Sequence, residues 1–268
     1  VRSRLADTFS RLRASGRAGL VTYVTAGDPD AATSERILLA LAEAGADVIE
    51  VGVPFSDPLA DGPVIQRASE RALAGGMTLR GTLGLVSRIR QAIDTPIVLF
   101  TYANPVVRME ASAFARAAAD AGVDGVLILD YPVEEAEPLR VPIVEAGLDP
   151  IFLISPTTSG ARIEKSNACG GGFLYLISRL GVTGVRDRLP DGVDELVARV
   201  RAHSTLPIAL GFGISTAEQV RQACRVADAA VVGSAIVDVI ARHGAGRGPD
   251  NGVADRVAAY VRSLRSAV

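Results

Sequence analysis

The chain has 268 residues, 49% of them hydrophobic and 22% charged, with a formal net charge of -2 and two cysteines. That is the profile of a globular protein, long enough for one large α/β barrel or two smaller domains. The near-neutral balance gives no overall attraction to nucleic acid or to an anionic membrane, and no apolar run is long enough to span a bilayer.

The opening segment VRSRLADTFSRLR is rich in arginine but lacks the apolar core of a signal peptide. Leu5, Phe9 and Leu12 fall on one helical face, which predicts a short docking helix. Position 1 is Val and not Met, which points to a processed or trimmed start. Beyond it, apolar runs alternate with amphipathic helical patterns. The expected strands are Leu20–Thr25, Asp47–Val51, Pro96–Thr101, Gly125–Leu129, Pro150–Ile154, Phe173–Ile177, Pro207–Gly211 and Ala229–Val232, each followed by a helix. Near-continuous Val/Ile/Leu runs suit parallel strands buried on both faces.

The junctions recur as well. AGAD (Ala44–Asp47), AGVD (Ala121–Asp124) and AGLD (Ala146–Asp149) place Gly where a helix stops. DTPIVLF and TLPIALG put Pro at a strand start, where its missing N–H matters least. No composition shift or linker divides the chain, so a single domain over residues 1–268 is expected. Eight βα units of this length fit a (β/α)8 TIM barrel, with the N-terminal helix as an addition. A doubly wound open sheet is the alternative, but no GxGxxG follows the first strand.

Cys169 and Cys224 have neither metal-ligand spacing nor a disulfide framework, which suggests a reducing, cytoplasmic setting. CxxC, HExxH and GxxxxGK[ST] are absent, so neither a metal nor a P-loop nucleotide is expected. His203 and His243 read as surface residues near helix ends.

Chemistry in such a barrel sits at the C-terminal ends of the strands. Glu50 ends the second strand, and a long Pro/Gly/Asp-rich loop carrying Asp61 follows it. A carboxylate on a buried strand is expensive to desolvate, and a pair of them can do acid–base work. The plainer alternative pairs Glu50 with an Arg and leaves Asp61 to cap the next helix. Tyr102 and Asn104 follow strand three, Asp130 follows strand four, and Tyr175 lies in strand six. ALGFGIS (Ala209–Ser215) and VVGSAIV (Val231–Val237) bring glycines to the last two strand ends, and Gly233-Ser234 opens a helix. Backbone N–H groups there favour a phosphate, with Gly184 a third contributor, although such glycines also serve simply as tight turns. The single lysine, Lys165, sits in a predicted helix, away from the strand ends a Schiff base would need.

These residues resemble the tryptophan synthase α-subunit family over essentially the whole chain. The resemblance is carried by YVTAGDPD (Tyr23–Asp30), EVGVPFSDPLADGPVIQRA (Glu50–Ala68), TYANPV (Thr101–Val106) and the region around DYPVEEA (Asp130–Ala136). It continues in SPTT (Ser155–Thr158), YLISRLGVTG (Tyr175–Gly184), GFGIS (Gly211–Ser215) and GSAIV (Gly233–Val237). It implies retro-aldol cleavage of indole-3-glycerol phosphate to indole and glyceraldehyde 3-phosphate, with Glu50 as general acid–base and Asp61 receiving the indole N–H. By the same resemblance Tyr175 stands beside the glutamate and Thr183 orients Asp61. Gly184, Gly213, Gly233 and Ser234 hold the phosphate, the last two at a short helix after strand eight, and Tyr23, Phe100 and Tyr102 line the indole pocket.

The family works with a β subunit in an αββα heterotetramer. The resemblance implies that Pro54, Asp57 and Pro58 contact this partner, and that pyridoxal phosphate belongs to β, with no cofactor on this chain. Thr22, Tyr23 and Phe100 depart from residues seen in other members, which implies a reshaped pocket. SNACGGG (Ser166–Gly172) is expected to loosen the connection into strand six. A stand-alone indole-releasing lyase and a non-catalytic, phosphate-binding activator barrel are the competing readings. Indole-3-glycerol phosphate synthase chemistry is expected to need lysines that this chain lacks.

Overall fold

The computed structural model describes residues 3–178, 192–211, 213–244 and 252–268. Helix α1 (Arg4–Ala14) comes first, its N-terminus capped by the Ser3 hydroxyl, which accepts from the Ala6 N–H. Strand β1 (Gly19–Thr25) leads to α2 (Ala31–Glu43), and β2 (Val48–Gly52) to α3 (Pro63–Ala74) and α4 (Leu79–Arg90). Strand β3 (Ile97–Thr101) precedes α5 (Ala103–Met109) and α6 (Ala111–Asp120), β4 (Gly125–Ile128) precedes α7 (Glu137–Glu145), and β5 (Asp149–Ile154) precedes α8 (Gly160–Cys169). The chain closes with β6 (Leu174–Ile177), α9 (Val193–His203), β7 (Ile208–Gly211), α10 (Ala217–Val226), β8 (Ala229–Val232), α11 (Ser234–His243) and α12 (Val253–Arg265).

The eight strands form a closed parallel barrel in which each pairs with the next and β8 returns to β1. All eight expected strands form, with edges displaced by at most one residue. Pro96 and Pro207 stand one residue outside β3 and β7. They have no N–H to give the ladder, but their carbonyls accept from the N–H groups of Ile49 and Leu174 at 2.9 and 2.8 Å.

The recurrent AG junctions are helix stops of one kind. Gly45, Gly122 and Gly147 take φ of 93°, 86° and 80°, open to glycine without strain. After α2, the Ala46 N–H returns to the Leu41 carbonyl and the Gly45 N–H to that of Ala42, and the same pair of bonds ends α6 and α7. The aspartates at the N-terminal ends of the strands then clamp the barrel floor. Asp47, Asp124 and Asp228 accept from the N–H groups of Leu20, Ile97 and Ile208 at 2.8, 2.8 and 2.9 Å. Each also holds an arginine: Arg265, Arg90 and Arg201 respectively.

Helix α1 lies across that floor. Leu5, Phe9 and Leu12 are buried against inward residues such as Val21, Val48 and Phe173, and the Phe9 and Phe173 rings are 5.5 Å apart. Each such side chain contributes about 1.5–3 kcal/mol by leaving water. The Gly-rich segment before β6 is not the loose connection its composition suggests. A Cβ on Gly171 would stand 2.5 Å from Asp149 Oδ1 and one on Gly172 would stand 3.0 Å from Leu5. The Gly171 N–H also donates to the Pro150 carbonyl at 2.9 Å. These glycines are a close approach of chain to chain under the barrel.

Candidate functional site

Strand alternation sends Val48 and Glu50 into the barrel and Ile49 and Val51 outward. Glu50 is the third of five residues of β2, not its last, because pairing to both neighbours continues to Gly52, opposite Thr25 and Phe100. The carboxyl group is fully buried (0% exposed), and neither of its oxygens has a hydrogen-bond partner among the described residues. Among the described residues, then, no arginine makes it a structural ion pair. Desolvation pushes its pKa up to about 8, so the group holds its proton at neutral pH.

Aromatic rings surround it. Tyr23 meets Phe100 edge-on with centroids 5.1 Å apart, and Phe100 meets Tyr175 at 6.1 Å. The phenols of Tyr23 and Tyr175 are pushed well above their ordinary pKa, first by burial and then by the carboxylates around them, Glu50 among them. Tyr23 hydrogen-bonds Thr25 at 3.3 Å. Two strand-end glycines make room for these rings: a Cβ on Gly52 would collide with the Tyr23 phenol, and one on Gly211 would lie 2.6 Å from the Tyr175 oxygen. Neither Gly52 nor Thr25 stands out in the sequence; the ‑VG‑ that closes β2 is the one local signal.

Asp61 reaches the same end of the barrel from the loop of residues 53–62. Its carboxylate accepts from the Tyr102 hydroxyl at 2.9 Å and is 8% exposed. Burial raises its pKa to about 6, partly offset by that hydrogen bond. Gly62, not Asp61, stands at the N-cap of α3, with Pro63 at the first helical position. The capping role considered for Asp61 is thus not the one it performs. On the same loop Leu59 is 94% exposed, Asp57 is exposed, Pro58 is half-buried and Pro54 is buried. A cavity of about 500 Å³ opens beside this loop between Phe55, Met77 and Pro105; neither Glu50 nor Asp61 lines it. Asn104 lines that cavity too, while Asp130 accepts from the Ala103 N–H at 2.7 Å and so holds the start of α5.

At the last two strands, Gly213 has φ 82° and Gly233 is the N-cap of α11, which no side chain caps. Ser234 is the first residue of that ten-residue helix. A helix N-terminus that no side chain caps is a setting that suits an anion. A Cβ on Gly233 would stand 3.2 Å from the Tyr23 Cβ, so this corner adjoins the aromatic wall. Thr183 and Gly184 lie outside the described residues. Lys165 is on α8, outside the barrel. Among the described residues no cluster of His, Cys, Asp and Glu could hold a metal ion, and no helix is long and apolar enough to cross a membrane.

Comparison with known proteins points to one family. Residues 9–268 match the family model described as tryptophan synthase alpha chain. A tryptophan synthase alpha chain of Burkholderia pseudomallei is 47% identical over 267 residues, covering 99% of this chain and 97% of the relative. The tryptophan synthase of M. tuberculosis in its aminoacrylate-bound form has a chain that superposes with a TM-score of 0.88 at 37% identity, all of both chains covered. The subunit alpha of Legionella pneumophila gives 0.88 at 36% identity, covering 100% and 98%. The chain belongs to the tryptophan synthase alpha chain family.

Proposed function

We propose that this chain is the lyase that cleaves indole-3-glycerol phosphate to indole and glyceraldehyde 3-phosphate, as the α subunit of tryptophan synthase in L-tryptophan biosynthesis. The observation that carries the reading is Glu50, a buried carboxyl group with no hydrogen-bond partner among the described residues, which keeps its proton up to about pH 8 among three aromatic rings. A group so placed can both give and take a proton near working pH.

The steps balance on this one group. Glu50 gives its proton to indole C3, which turns the ring into an electron-poor indoleninium. The bond from C3 to the first side-chain carbon then breaks and its electron pair returns to the ring. The hydroxyl on that carbon loses its proton to the Glu50 carboxylate and becomes the aldehyde of glyceraldehyde 3-phosphate. One proton is given and one recovered. Asp61, ionised above about pH 6, accepts the indole N–H and stabilises the positive charge while C3 is protonated.

Tyr23, Phe100 and Tyr102 wall the indole, Tyr175 packs beside Glu50, and Thr183 orients Asp61. Gly184, Gly213, Gly233 and Ser234 hold the phosphate, consistent with the uncapped N-terminus of α11. The chain carries no cofactor of its own; the pyridoxal phosphate is that of the β subunit. It works in the cytoplasm in an αββα heterotetramer, with Asp57 and Pro58 facing the partner, the buried Pro54 supporting them from beneath, and loop 53–62 linking that contact to Asp61. The test is indole release by the E50Q and D61N variants. E50Q should lose at least about a thousandfold in kcat while binding substrate within about tenfold of the parent, as expected when a transition-state group is removed. Cleavage at the parent rate would overturn the assignment.

A further inference from the structure

Tyr102 touches the loop of residues 53–62 at three points, from its start to its end. Its ring stacks on Phe55 with centroids 5.1 Å apart and planes 30° from parallel. Its oxygen accepts from the Ala60 N–H at 3.1 Å, and its hydroxyl donates to Asp61 Oδ2 at 2.9 Å. We infer that Tyr102 is a positioning residue: it straps this loop to the end of β3 and holds the Asp61 carboxylate ionised and aimed into the barrel. The inference deepens the proposed function, because it takes Asp61 to be the group that receives the indole N–H.

The geometry adds this role to that of a pocket wall. Tyr102 is 3% exposed and stands at the rigid end of a barrel strand, whereas the loop it grips carries a nearly fully exposed Leu59. The Ala60 N–H occupies a lone pair of the phenol oxygen, which leaves its hydrogen directed to Asp61. A donor fixed in this way favours the charged form of a carboxylate. Burial drives Asp61 the other way, and the Tyr102 bond is what opposes it. A wall residue would supply the ring alone.

Y102F in the full chain removes the hydroxyl and keeps the ring on Phe55. Two readouts are needed. The Asp61 carboxyl titration, followed by carbon-13 NMR of aspartate-labelled chain with D61N to assign the signal, should rise by about half a pH unit or more, as expected for a lost hydrogen bond to the charged form. The acid limb of kcat/KM for indole release should rise with it, with kcat reduced and KM within about twofold, the pattern of a lost transition-state interaction. In the D61N background Y102F should have no further effect on kcat. An unmoved titration, or a loss confined to KM, would overturn the inference and leave Tyr102 a wall residue. If the parent chain releases no indole, the reaction assignment fails, while the NMR titration still decides the role of Tyr102.

Discussion

The phenol of Tyr175 occupies the space in front of Gly211: a Cβ built there would stand 2.6 Å from its oxygen and 2.9 Å from its Cζ. Gly211 ends β7 and Tyr175 is the second residue of the neighbouring β6, opposite Ala209, so the missing side chain of one is what lets the other lie beside Glu50.

G211A should therefore act through Tyr175. The added methyl displaces the ring toward Glu50 and Phe100, and overpacking of this sort costs about 1–3 kcal/mol. Indole-release kinetics and thermal unfolding of the variant check this; kcat should fall about tenfold or more, since small misplacements at a reacting centre are felt strongly. An unchanged kcat would show that the position of the Tyr175 ring is immaterial.

The pH profile should be bell-shaped. Asp61 must be ionised, so kcat/KM climbs as pH passes about 6. Glu50 must hold its proton at the start, so activity declines as pH passes about 8. D61N should abolish the acid limb along with most of the activity, and a profile flat from pH 5 to 9 would contradict both assignments.

Glu50 also makes stability depend on pH. Its folded pKa of about 8 stands above the ordinary glutamate value of 4.5, so the folded state binds the extra proton between these values. Stability contributed by the group thus falls as pH rises through that window, by at most about 5 kcal/mol at 1.36 kcal/mol per pKa unit. Urea unfolding at pH 6 and pH 9 should show E50Q gaining on the parent at the higher pH. Equal pH dependence in the two proteins would mean that Glu50 is solvated or paired.

At the opposite end of the barrel, Asp124 is bonded to Arg90 at 2.7 Å, Arg4 at 3.0 Å and the Ile97 N–H at 2.8 Å. D124A should destabilise the fold by about 3–5 kcal/mol, because it leaves a mostly buried guanidinium and a strand N–H without an acceptor. Differential scanning calorimetry should show a lower Tm, and the rate per folded molecule at low temperature should be unchanged.

The barrel was readable from the chain because parallel strands buried on both faces are written as unbroken Val/Ile/Leu runs, and because Gly45, Gly122 and Gly147 mark helix ends by a backbone need only glycine meets. Leu5, Phe9 and Leu12 announced α1 in the same way, through a helical period. Glu50 and Asp61 were visible as carboxylates near a strand end. That Glu50 has no partner among the described residues was not, since which side chains reach it is a fact of three dimensions. The bond from Tyr102 to Asp61 spans 41 residues and leaves no local pattern. Composition misled at Gly171 and Gly172, where glycine marks tight packing against Asp149 and Leu5.

The most direct measurement is indole formation from indole-3-glycerol phosphate at neutral pH, with and without a tryptophan synthase β subunit. Indole and glyceraldehyde 3-phosphate should form in equal amounts, slowly with the chain alone and about tenfold or more faster with β, as loop closure on partner binding would produce. No indole in either condition would contradict the proposed reaction at its root.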